Sequence, residues 1–158
     1  MRHHLLAGAI ALGLMSFAQG ATARDLPDGG MTIQEVAAWL QDAGYKAEIA
    51  TNDKGKQYIK SAAEGAGFNI DMYDCHDGPR CGSMELAAGF DLTNGMSFEK
   101  INEWNRDNRY IKGYLDTEND PYAEYEVNLS PGRTYESLND DFAIWRTALP
   151  KFKTFIGW

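Results

Sequence analysis

Histidine, cysteine and positive charge are all scarce in this 158-residue chain, and each shortage closes off a class of function. Of the three histidines, His3 and His4 stand at the very start, so His76 alone remains to bind a metal or move protons near neutral pH. Histidine-rich metal sites are thereby excluded, and a Ser-His-Asp triad would have to be built on His76. None of Ser61, Ser83, Ser97, Ser130 and Ser137 lies in a Gly-x-Ser-x-Gly nucleophile elbow. Only 15 lysines and arginines stand against 23 aspartates and glutamates, a formal charge of −8 with no basic stripe. Such a surface repels phosphate backbones and anionic lipid, which excludes nucleic acid as a partner. Gly65-Ala66-Gly67 is no phosphate loop, because no Lys-Ser or Lys-Thr follows it.

Long apolar runs are missing too. Leu5 to Ala18 is almost wholly apolar, but it falls short of the roughly 18 residues that span a bilayer as a helix. The basic start Met1-Arg2-His3-His4 precedes this run, and Ala21-Thr22-Ala23 follows it. That order matches the charged region, hydrophobic region and small-residue cleavage site of a secretory signal peptide. We expect residues 1–23 to be removed and the product to be periplasmic or secreted, without stable membrane insertion. No cysteine follows the run closely enough to take a lipid anchor. Losing Arg2 leaves 14 basic against 23 acidic side chains, a formal charge of −9.

What is present suffices for a packed core: 44% of the residues are hydrophobic and 12% aromatic. Residues 24–30, with Pro27 and Gly29-Gly30, read as a flexible leader. Residues 31–158 read as one domain. Thr32 and Glu35 form a capping box before Ile33, Val36, Ala37 and Leu40 at helical spacing, and Gly44 ends that helix, with Trp39 near its edge. Period-two alternation then predicts four strands. Tyr45, Ala47 and Ile49 lie on the first, Gln57 to Ala62 on the second, Phe68, Ile70 and Met72 on the third, and Met84, Leu86 and Ala88 on the fourth. Asn52-Asp53-Lys54-Gly55 and Glu64-Gly65-Ala66-Gly67 supply the turns between the first three. Ser97 caps a second helix with Phe98, Ile101 and Trp104 on one face. Tyr110 to Leu115 and Tyr122 to Leu129 predict two more strands around the acidic turn Asp116 to Asp120. Thr134 opens a last helix, with Leu138, Phe142, Trp145 and Leu149 on its core face, that Pro150 ends or bends. The fold class is α+β: an antiparallel sheet of about six strands with helices packed on it, in the order α-β-β-β-β-α-β-β-α.

Cys75 and Cys81 flank His76-Asp77-Gly78-Pro79-Arg80, a turn by composition. At matched positions across a hairpin tip their Cβ atoms reach disulfide distance, and an exported protein matures where that bond persists. A redox role fits less well, since Cys-x5-Cys lacks the two-residue spacing that activates an attacking thiol. A metal would need both thiolates, His76 and a fourth ligand from Asp74 or Asp77. The Asp116 to Asp120 turn places oxygen ligands close together but lacks the length of a twelve-residue calcium loop. No cofactor is implied.

Asn102 and Asn105, three apart on the second helix around Trp104, suit hydrogen bonds to a strand edge or to a partner. The segment Phe98-Glu99-Lys100-Ile101-Asn102-Glu103-Trp104-Asn105, followed by Tyr110-Ile111-Lys112-Gly113-Tyr114-Leu115-Asp116, resembles the YbjN domain, a family described as bacterial sensory transduction regulators. The resemblance runs from the helix at Thr32 through the helix bearing Trp145. It implies a fold similar to type III secretion chaperones and carries no catalytic residue onto this chain. The signal peptide and the cysteine pair depart from the family's cytoplasmic members.

These features together predict a non-catalytic, exported binding or interaction domain, chaperone-like or regulatory, with a protein or peptide partner. Its candidate surface is Asn102, Trp104, Asn105, Tyr114 and Trp145. Two alternatives stand beside it: a carboxylate-based hydrolase, which needs two close acids with separated pKa values, and a small-ligand sensor with an aromatic pocket lined by Trp104 and Tyr114. Sequence leaves monomer and homodimer undecided.

Overall fold

A computed structural model describes residues 23–76 and 78–158 of the chain. The signal-peptide reading, except for Ala23, therefore lies outside the described residues, as does Asp77. Thr32 opens α1 (Ile33–Asp42) with the expected box: its hydroxyl accepts from the Glu35 amide at 3.2 Å, and the Glu35 carboxylate accepts from the Thr32 amide at 2.9 Å. Four strands follow as a meander: β1 (Ala47–Thr51), β2 (Gln57–Ala63), β3 (Ala66–Tyr73) and β4 (Ser83–Gly89). Next come α2 (Phe98–Asp107), the hairpin β5 (Lys112–Leu115) and β6 (Pro121–Asn128), and α3 (Tyr135–Ile156). All pairings are antiparallel, and the sheet runs β1-β2-β3-β4-β6-β5. The returning strand β6 lies against β4, which sends β5 to the sheet edge. Class and element order are those the periodicity predicts.

Strand alternation sorts the sheet into two unlike faces. Ile59, Phe68, Ile70, Met84, Leu86 and Ala123 are buried on one of them. All three helices pack on that side. The α3 rings of Phe142 and Trp145 sit 6.2 and 5.5 Å from Phe68 of β3, Trp39 of α1 meets Phe142 at 5.5 Å, and Trp104 of α2 meets Phe152 at 4.9 Å. No helix covers the opposite face among the described residues.

Several local expectations are corrected by the structure. The β2–β3 turn is only Glu64-Gly65, both left-handed at φ +52° and +72°, so Ala66 and Gly67 already belong to β3. Tyr110, read as the start of a strand, is also left-handed at φ +75° and exposed, and β5 begins at Lys112. Phe98 is 68% exposed and does not join Ile101 and Trp104 in the core. Pro150 does not end α3, which continues to Ile156. The helix forgoes one backbone hydrogen bond there, and burial of Phe152 and Ile156 beyond the proline offsets it.

The stretch over 24–30 is docked rather than loose. Leu26 is buried and its amide donates to the Arg133 carbonyl at 2.7 Å, while Asp25 bridges Thr134. Met31 and Cys81 exchange backbone hydrogen bonds at 3.2 and 2.9 Å. Gly30 makes that approach possible: a Cβ there would collide with the Cys81 carbonyl, and its φ of +92° suits glycine.

Candidate functional site

The Asn-rich helix closes one edge of the sheet. Asn105 on α2 donates from Nδ2 to the Gly113 carbonyl at 2.9 Å and accepts the Gly113 amide on Oδ1 at 2.8 Å. One side chain thus satisfies both outward backbone groups of an edge-strand residue, as a neighbouring strand would. Trp104 adds its indole N–H to the Ile111 carbonyl at 3.1 Å and is almost completely buried. Gly113 has to be glycine for this packing, because a Cβ would sit 2.8 Å from Ile101, 3.0 Å from Trp104 and 3.1 Å from Phe152. Asn102 is exposed, with no side-chain hydrogen bond among the described residues.

The five residues singled out from sequence do not form one surface. Trp145 is fully buried against Phe68. Tyr114 lies on the helix-free side of the sheet, stacked on Tyr122 at 5.2 Å. Burial first, and the Glu124 carboxylate second, hold its hydroxyl in the protonated form far above the usual tyrosine range. Trp104 and Tyr114 therefore point to opposite faces, and no single aromatic pocket contains both.

The cysteines form the expected disulfide. The cross-strand pair Tyr73 and Ser83 continues through Asp74 and Gly82 to Cys75 and Cys81, so the bond closes the hairpin tip in register. It also uses both thiolates that a metal site at His76 would need. Arg80, inside the loop, reaches α1: Nη1 donates to Glu35 Oε2 at 2.7 Å and to the Gly30 carbonyl at 2.8 Å, and Nη2 donates to Glu35 Oε1 at 2.9 Å. Among the described residues no cluster of three His, Cys, Asp or Glu is placed to hold a metal ion. In the acidic turn the Asp116 carboxylate accepts from the amides of Glu118 and Asp120, and Asp120 accepts from the Leu92 amide. Those oxygens cap backbone.

Sequence reasoning missed a groove between the end of α2 and α3. Its volume is about 500 Å³, and Ala143, Ile144 and Ala148 of α3 line it together with the edge of Trp104. Tyr110, 58% exposed, stands on its rim beside Arg109, and Asp107, Asp140 and Lys151 supply charge of both signs around it. The signal for it was faint: Ala143 and Ile144 lie between the core residues Phe142 and Trp145, so the periodic pattern placed them off the buried stripe.

Residues 32–158 match the model of the YbjN family, described as "Putative bacterial sensory transduction regulator". The chain belongs to the YbjN family. The match begins at the α1 N-cap and extends to Trp158, so it covers the whole sheet, all three helices and the groove, and leaves the docked stretch before Thr32 outside. No curated protein matches the chain at a significant level.

On its helix-free face this YbjN domain carries a row of acids. Asp71 of β3 pairs with Glu85 of β4, which pairs in turn with Glu126 of β6. Burial, and then the Glu124 carboxylate, push the Glu85 carboxyl above the usual range.

Proposed function

We propose that this YbjN domain is an exported, non-catalytic binding domain whose α2–α3 groove takes a short peptide segment of a protein partner. The groove is the observation that supports the reading. Its volume lies in the range of ligand sites, about 300–1,000 Å³. Its alanine-lined floor lets a peptide backbone come close, and its apolar surface suits one or two buried anchor side chains. Acids and bases on the rim match the mixed polar groups of a peptide better than they match an ion of one sign. The family's likeness to secretion chaperones fits a protein partner, and the signal peptide read at residues 1–23 together with the disulfide fits the periplasm.

Peptide selection on the immobilised mature domain tests this. Ala143→Arg fills the groove from an exposed helix position, where circular dichroism can verify the fold. Enriched peptides should share an apolar anchor and lose about tenfold or more in affinity to A143R, equivalent to about 1.4 kcal/mol. Absence of enrichment, or equal binding by A143R, would overturn the peptide reading. Enrichment of small metabolites alone in a parallel screen would replace it with the sensor. Cell fractionation tests export, which fails if the protein stays cytoplasmic with its first residues intact.

A further inference from the structure

The helix-free face of the sheet is a second surface with chemistry of its own. Three carboxylates, those of Asp71, Glu85 and Glu126, stand directly opposite one another across β3, β4 and β6. Facing residues in neighbouring strands hold their Cβ atoms about 5 Å apart, and like charges so placed destabilise a sheet. The outer acids of the face are compensated from within the chain. Lys56 pairs with Asp71 at 3.0 Å and also lies 4.1 Å from the centre of the Tyr73 ring. Lys112 pairs with Glu124 at 2.5 Å and lies 5.6 Å from the Tyr114 ring. Each of these ammonium groups is gripped in the same way, by a carboxylate and a tyrosine face together. The central acids Glu85 and Glu126 make no ion pair among the described residues.

We propose that this face docks a cationic, arginine- or lysine-rich polypeptide segment, lying extended across β3, β4 and β6 with its charged heads on Glu85 and Glu126. Charge complementarity selects the occupant. At the centre of the face Glu85 and Glu126 have no cation within ion-pair distance among the described residues, Lys112 reaching them only from its place on Glu124. The chain's negative charge disfavours a second copy of itself. The two lysine grips display the recognition mode a visiting side chain would reuse. The span also fits: β3 and β6 are two strand spacings apart, about 10 Å, which three or four extended residues cover. This surface lies on the far side of the sheet from the α2–α3 groove, so the two inferences stand or fall separately.

The test is titration of the mature domain with octa-arginine at about 50 mM salt, where screening is modest. The expected result is saturable binding that Glu85→Gln combined with Glu126→Gln weakens about tenfold or more. A charge-matched control, Asp28→Asn with Asp42→Asn, lies off the face and should change affinity less than about twofold. A143R should bind octa-arginine as the wild type does. Spermine, a cation without a polypeptide backbone, should compete poorly at equal charge. No binding, an equal loss in the control pair, full competition by spermine, or loss in A143R would each overturn the proposal. Thermal melts of every variant separate lost binding from lost fold.

Discussion

The Arg80 guanidinium and the Glu35 carboxylate meet edge to edge, Nη1 on Oε2 at 2.7 Å and Nη2 on Oε1 at 2.9 Å. Glu35 serves two elements at once, because the same carboxylate closes the capping box of α1 on the Thr32 amide. The disulfide loop, the stretch before α1 and the α1 N-terminus are thereby tied into one corner, which Met31 and Cys81 complete through their backbones.

Glu35→Gln should cost about 1 kcal/mol at neutral pH, a figure set low because both side chains are about one-third exposed. The Arg80 hydrogen bonds, opposed by partial burial, hold the Glu35 carboxyl below its ordinary value of 4.5. Its contribution is therefore complete above about pH 4.5 and is lost as pH falls through the lowered value. Urea denaturation against pH should show the E35Q deficit shrinking in acid. A deficit independent of pH would show that the ion pair is not its source.

Replacing Cys75 and Cys81 together by serine should lower stability by roughly 2 kcal/mol, the chain-entropy value for so short a loop. Because Cys81 bonds to Met31, amide exchange at both residues should accelerate while that of central β3 stays protected. Unchanged exchange at Met31 would mean that the loop holds its place without the bond.

Asn105→Ala removes two hydrogen bonds from Gly113 and uncovers the β5 edge. A loss of about 1–2 kcal/mol is expected in chemical denaturation. Concentration-dependent association should accompany it in size-exclusion chromatography, since a bare strand edge templates pairing. A variant that loses stability but stays at the wild-type elution volume would confine Asn105 to a local bonding role.

Glu85→Gln should stabilise the domain, by about 0.5 kcal/mol at neutral pH, through relief of facing like charges. A carboxyl with a raised pKa favours the fold while protonated and loses that contribution as pH rises through its folded-state value. The gain over wild type should be present at pH 7 and vanish near pH 4 in thermal melts. Destabilisation at pH 7 would show that the Glu85 carboxylate has a partner that favours its charged form.

Much of this molecule was legible in one dimension because local physics decides it. Capping groups at Thr32, Ser97 and Thr134 start helices through bonds spanning three residues, and alternating burial fixes each strand's faces without knowledge of its neighbours. The matched cysteines even set the β3–β4 register, since pairing Cys75 with Cys81 places Asp71 opposite Glu85 four steps further from the tip. Other features depended on partners distant in sequence. The sheet order sets β6 beside β4, and only that contact brings Glu126 to Glu85 and completes the acid row. The docking of α2 on β5 turned Trp104 inward and left Tyr114 on the far face, which separated residues that chain proximity had grouped. Pro150 stayed helical because burial outweighed the lost hydrogen bond, and burial is a property of the assembled core that no short window of sequence contains.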